Sequence, residues 1–182
     1  MSELLAGFDF FTYYTQTNGL QVGKVYQDAG TGKEFRFCQA HTTLVGSVLV
    51  VTNPVVQVGT TTIGLATDDV SAGLDATHPF CLGVPTSACP VSTSSTTYYF
   101  FAQVSGPWHT TLTGTTYGSI LMNNDNDAAV GDTIIMTSTD ASCDTVATGT
   151  AGVTKKTVGY VLVAVVAATD LVTGVWLNTG LR

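Results

Sequence analysis

Two segments, Tyr98-Tyr99-Phe100-Phe101-Ala102 and Tyr160-Val161-Leu162-Val163-Ala164-Val165-Val166, are apolar at every position, so neither has a face that belongs in water. Alternate residues of a strand point to opposite sides. A strand apolar on both sides must therefore be covered twice, by a second sheet, a barrel interior or another subunit. Short apolar runs can also be helical, and here composition decides. Thr occurs 32 times and Val 23 times, whereas Glu stands only at Glu3 and Glu34. Val and Thr are stiff at χ1 and suit a pleated surface, while the 11 Asp and 19 Gly suit turns. The chain reads as all-β, a single antiparallel β-barrel or β-sandwich.

Runs of strand character recur at short intervals: 20–27, 33–39, 45–51, 55–65, 79–84, 97–105, 107–113, 118–122, 132–137, 144–147, 158–168 and 172–178. Between the first two, Asp28-Ala29-Gly30-Thr31-Gly32 supplies glycines for a hairpin loop, so residues 20–39 are expected to pair. In Glu34-Phe35-Arg36-Phe37 apolar and charged residues alternate, which predicts one dry and one wet face and an outer position in the domain. A length of 182 residues suits one domain over 20–182, and the Pro- and Asp-rich stretch 66–97 reads as a long loop or insertion within it.

Residues 1–19 form an N-terminal arm of different character, with Phe8, Phe10, Phe11, Tyr13 and Tyr14 crowded into seven positions. These five are the candidate contact residues. Either they cap one end of the chain's own core, or the arm packs onto a neighbouring subunit or larger assembly.

Charged residues make up 10% of the chain, against about 25% in an average soluble domain. A monomer uses charge to stay soluble and to blunt its sheet edges, so low charge combined with two-sided apolar strands predicts a homo-oligomer. A net charge of −7 argues against a nucleic-acid partner, whose phosphates require clustered Lys and Arg. Val158–Ala168 is too short to span a bilayer as a helix, so no membrane association is expected, and Met1-Ser2-Glu3-Leu4-Leu5 does not read as a secretion signal.

Catalytic chemistry is weakly represented. His41, His78 and His109 lie on unrelated segments, and no nucleophile elbow is present. Cys38-x-x-His41 has the spacing of half a zinc site, but Cys81 and Cys89 are wrongly spaced to complete it. Asn123-Asn124-Asp125-Asn126-Asp127 offers oxygen ligands without the EF-hand frame, and Gly30-Thr31-Gly32-Lys33 lacks the rest of a P-loop. Neither metal nor cofactor is expected, and the chain reads as a non-enzyme. Cys38, Cys81, Cys89 and Cys143 would be free thiols in a reducing compartment and could pair in three ways in an oxidising one. Trp108, Tyr98 and Tyr99 are candidates for stacking on a sugar.

The C-terminal third carries Ala128-Ala129-Val130-Gly131-Asp132-Thr133-Ile134, then Val158-Gly159-Tyr160-Val161-Leu162-Val163-Ala164, a turn at Thr169-Asp170, and Val175-Trp176-Leu177-Asn178. Upstream stand Phe80-Cys81-Leu82-Gly83-Val84 and Ala102-Gln103-Val104-Ser105-Gly106. Over about 80–182 this pattern resembles the capsid decoration, or cement, proteins of tailed bacteriophages. The segment 40–80 is longer than in simple members, and the four cysteines lie outside the pattern. The resemblance implies a small β-barrel or β-sandwich, commonly a homotrimer, made in the host cytoplasm and located on the outer capsid surface of the virion. Its partner would be the major capsid protein, and its function capsid stabilisation by bridging capsomers. The alternative is a tail or fibre component that recognises a host-surface glycan.

Overall fold

The computed structural model describes residues 3–44, 46–74, 80–111, 118–122, 128–137, 142–146, 157–164 and 171–179. In chain order the strands are β1 (Glu3–Leu5), β2 (Tyr13–Tyr14), β3 (Val25–Asp28), β4 (Glu34–Ala40), β5 (Val48–Leu49), β6 (Val55–Gln57), β7 (Leu65–Thr67) and β8 (Cys81–Pro85). They continue as β9 (Cys89–Pro90), β10 (Tyr99–Pro107), β11 (Ser119–Leu121), β12 (Thr133–Met136), β13 (Cys143–Val146), β14 (Thr157–Val161), β15 (Leu171–Thr173) and β16 (Val175–Asn178). A 3-10 turn at Val70–Ala72 is the sole helical element among the described residues. The all-β reading holds.

Twelve strands form one large sheet. Most pairs are antiparallel, but β1–β3 and β4–β7 are parallel, so the sheet is mixed where a purely antiparallel one was expected. Around β4 the pairings run through β7, β6, β8 and β10 and return to β4, a ring of five strands. From β10 the sheet continues through β16, β14 and β12 to β13, and it does not close into a barrel as a whole.

The predicted hairpin is present as β3 and β4, with Asp28 anchoring its turn by accepting from the Gly30 and Thr31 backbone N–H groups at 3.1 and 2.6 Å. The placement of β4 differs from expectation. Arg36 is 5% exposed, because β4 lies inside the sheet: Phe35 and Phe37 face the arm, and Cys38 and Ala40 face the ring interior. Charge alternation marked the two faces, but burial of both overrode the wet one. The segment 66–97 contains β8, which lies between β6 and β10 within the sheet, together with β9 and the 3-10 turn. The run 55–65 is broken by a loop into β6 and β7, and the run 172–178 is broken at Gly174 into β15 and β16.

Three apolar clusters follow from this arrangement. Cys38, Ala40, Val55, Ala66, Leu82, Phe100 and Ala102 pack within the ring. Phe10, Tyr26, Phe35, Phe37 and Phe101 pack on its outer side beneath the arm. Trp108, Ile120, Ile134, Met136, Val158, Val161, Val175 and Leu177 form the third cluster with Val56 and Val84 of the ring strands.

Candidate interaction surface

The arm lies against its own sheet. β2 pairs with β10, aligning Tyr14 with Tyr99 and Tyr13 with Phe100. Phe10 is 2% exposed, stacks on Phe35 at 4.4 Å between ring centroids and tilts against Phe101 at 4.7 Å. The Thr86 hydroxyl lies within reach of two carbonyls, those of Phe10 and of Phe101, the latter at 2.8 Å. Phe11 is half-buried edge-on to Phe35, and Tyr14 edge-on to Phe37 and Phe101, with Phe8 against Tyr14. Tyr14 also donates its hydroxyl to the Asp9 carbonyl at 2.7 Å. Of the five candidate contact residues, Tyr13 is the most open to solvent, at 44% exposure, and it meets Tyr98 in a T-shaped ring contact. Burial of the Tyr14 phenol, seconded by the Asp9 charge, raises its pKa.

The segment from Tyr98 to Ala102 is covered on both sides as its sequence required: Phe100 and Ala102 enter the ring, and Tyr99 and Phe101 meet the arm. The second two-sided segment is not, over its described residues 160–164. In β14, Val158 and Val161 are buried, yet Tyr160 is 39% exposed, and its neighbour across the strand pair, Trp176 of β16, is 45% exposed. Register extends this pair into a row across five strands, Pro107, Trp176, Tyr160, Thr133 and Val146, each at least partly exposed. Adjacent strands lie about 4.8 Å apart, so the row spans roughly 19 Å. Val163, just past β14, and Val130, beside the Gly131 that bonds to the Val161 carbonyl, add exposed apolar surface at the strand ends. Gly159 allows β14 and β16 to approach: a Cβ there would lie 2.2 Å from the Trp176 carbonyl oxygen.

The sequence marked Trp108 for stacking on a sugar, but Trp108 is 1% exposed and donates its indole N–H to the Ser119 carbonyl at 3.3 Å. Trp176 is the tryptophan that reaches solvent. Alternation within Val175-Trp176-Leu177-Asn178 signalled this, since Val175 and Leu177 take the inner face.

Cys38 and His41 do not converge as ligands. Cys38 is fully buried with its sulfur directed at the Arg36 carbonyl, and His41 Nδ1 accepts from the Thr43 backbone N–H at 3.0 Å. Among the described residues no group of three or more His, Cys, Asp or Glu is placed to hold a metal ion. The four cysteines are free and buried, and burial pushes the thiols of Cys38, Cys81 and Cys89 up to about 12. His109 Nδ1 lies 3.2 Å from Lys33 Nζ, and burial together with that ammonium lowers the His109 pKa. His78, Asn123–Asp127 and Thr169-Asp170 lie outside the described residues. Among the described residues no helix is long and apolar enough to cross a membrane.

Comparison with protein-family models, with curated proteins and with solved structures returned no match.

Proposed function

We propose that this chain is a non-enzymatic structural protein of a virion, which binds the outer surface of an assembled phage capsid and stabilises it by bridging capsomers. The observation that carries the reading is the uncovered row centred on Trp176 and Tyr160, in a chain with 10% charged residues. A sheet face with two large exposed aromatics suits protein contact, because aromatic residues are enriched at interfaces and charged ones are depleted at interface centres. A second copy or the major capsid protein would cover it, and the resemblance of the C-terminal strands to decoration proteins favours a homotrimer on the shell. Many such copies act multivalently, each adding buried surface that must be lost before the shell opens.

Copy number in purified virus particles, measured by quantitative mass spectrometry against the major shell protein, tests this. A number commensurate with the shell symmetry is the expected result. A few copies per particle would move the protein to the tail or a fibre, and absence from particles would overturn the virion reading.

The exposed Trp176–Tyr160 pair also favours a second reading, a tail or fibre component recognising a neutral host-surface glycan, since aromatic faces stack on sugar rings. Saturable binding of a defined oligosaccharide that is lost in Trp176→Ala would establish it.

A further inference from the structure

The turn that joins the aromatic arm to the sheet carries a reactive pair of residues. Asn18-Gly19 is the one place in the chain where glycine follows asparagine. The Leu20 N–H donates to the Thr17 carbonyl at 2.8 Å, closing a turn whose central residues are both left-handed, Asn18 at φ +49° and Gly19 at φ +82°. Asn18 is the only non-glycine residue with a positive φ among those described. Two positive φ angles are the mark of a type I′ turn, for which Asn-Gly is a preferred pair.

Little else restrains these two residues. Both are exposed, and a Cβ built on Gly19 would meet no atom within 4 Å. Among the described residues neither the Asn18 carboxamide nor the Gly19 N–H has a hydrogen-bond partner. An uncrowded amide nitrogen therefore follows an uncrowded carboxamide in the chain, and covalent tethering keeps the two at high effective concentration. Asn53 and Asn178 lack this arrangement. Asn53 precedes Pro54, which has no N–H, and Asn178 precedes the β-branched Thr179, whose N–H donates to the Val104 carbonyl at 3.2 Å.

We infer that Asn18 is a self-modification site, at which the Gly19 backbone nitrogen displaces the Asn18 side-chain amide and leaves aspartate or isoaspartate in its place. The turn opens, the Gly19 nitrogen gives up its proton to hydroxide and bonds to the Asn18 Cγ, and the Cγ–Nδ2 bond breaks with release of ammonia. Water then opens the resulting succinimide at either carbonyl, giving aspartate or isoaspartate, so the only co-reactant is water. Each product adds a negative charge at the turn, and isoaspartate also lengthens the main chain by a methylene. Such a chain cannot keep the Thr17–Leu20 bond and the seat of Leu20 together. Leu20 is 8% exposed and packs with Phe10, Phe35 and Phe101 in the cluster beneath the arm, so isoaspartate at position 18 loosens the arm. Nothing in this inference depends on the virion reading, and either can fail alone.

Incubating the intact protein at neutral and at mildly alkaline pH, then mapping its peptides by mass spectrometry with isoaspartate separated chromatographically, tests the inference. Conversion at Asn18 at least about ten-fold faster than at Asn178, and faster still at the alkaline pH, is the expected result. Asn18→Gly accepts the left-handed turn and should remove the matching share of the released ammonia. In the isoaspartate fraction, amide hydrogen exchange over residues 10–14 should quicken by about ten-fold, whereas Asn18→Asp, with an ordinary main chain, should leave it unchanged. Conversion of the native chain at Asn18 no faster than at Asn178 would overturn the modification site, and that comparison does not depend on any variant folding. Unchanged exchange in the isoaspartate fraction would overturn its effect on the arm.

Discussion

Phe10→Ala separates an arm that belongs to its own protomer from one that serves a neighbour. In the structure Phe10 is 2% exposed, stacked on Phe35 and tilted against Phe101. Burying a phenylalanine side chain stabilises by about 1.5–3 kcal/mol. Two favourable ring pairs add about 0.5–1.5 kcal/mol each. The sum of about 2.5–6 kcal/mol agrees with the range of about 3–5 kcal/mol for Phe→Ala in cores. The arm is a thin element that can settle into the space left behind, which places the expected loss near the lower end, about 3 kcal/mol. For a domain of this size that corresponds to a fall in melting temperature of about 6–12 °C. Thermal and urea unfolding should show it at every protein concentration. Tyr13→Ala, on the outward side of the same arm, should cost less than about 1 kcal/mol. A Phe10→Ala loss below about 0.5 kcal/mol, or one that grows with protein concentration as an assembly term would, refutes the packing of the arm on its own sheet.

Other measurements address the remaining sites. Gly159→Ala places a Cβ 2.2 Å from the Trp176 carbonyl oxygen and should force β14 from β16, with a loss of about 1–3 kcal/mol and a changed Trp fluorescence spectrum. The four buried thiols should resist a thiol reagent near neutral pH in the native protein and react fully in denaturant. Because burial raises the Cys38, Cys81 and Cys89 thiols from 9.0 to about 12, the neutral form is favoured in the fold. Their stabilising contribution is full below pH 9 and is lost as pH rises towards about 12, which unfolding midpoints of the native chain against Cys81→Ala should show. His109 behaves in the opposite sense: its pKa is lowered by burial and by Lys33, so its contribution is present above 6.5 and lost as pH falls through the lower folded value. An imidazole titration followed by NMR should place its midpoint below that of an ordinary histidine.

Much of the sheet was legible because its strands are dense in Val, Ile, Thr and aromatics. The runs 33–39, 79–84, 118–122, 132–137 and 144–147 correspond to β4, β8, β11, β12 and β13 to within about two residues. What escaped was short or depended on tertiary partners. β1, β2 and β9 have two or three residues each, too few for a period to register, and exist because β3, β10 and β5 pair with them. The sequence pattern separates 97–105 from 107–113, whereas β10 runs through to Pro107 with a bulge after Gln103. A bulge absorbs the irregularity that periodicity takes for a break. Of the surface features, the aromatic content of the arm was plain, but its direction was not: five rings in seven residues fit a cap and a docking arm equally well. A cavity of about 330 Å³ among Arg36, Gln57, Ile63 and Leu74 was invisible, since Arg36 reads as the wet side of an amphipathic strand and the other three reach it only through the fold.

The two apolar strands that most constrained the sequence have opposite fates, and the difference locates the exposed apolar surface on which the proposed contact rests. β10 has the ring on one side and the arm on the other, so the chain solves its own burial problem there. β14 has the third core cluster on its inner side, while Tyr160 and the adjoining Trp176 stand 39% and 45% exposed on the outer. The arm answers the problem at the first strand, and among the described residues no segment answers it at the second. If the row is an interface centre, removing Trp176 should leave the fold intact and abolish assembly, because contact energy concentrates in a few central aromatic residues. Trp176→Ala should therefore keep the melting temperature of the dissociated chain within about the few degrees typical of surface changes. The same variant should lose self-association by analytical ultracentrifugation, or co-sedimentation with shells. Undiminished assembly in Trp176→Ala and in Tyr160→Ala would show that the row is ordinary exposed surface and would move the search for a contact face to Tyr13, Leu4 and the outer side of the arm.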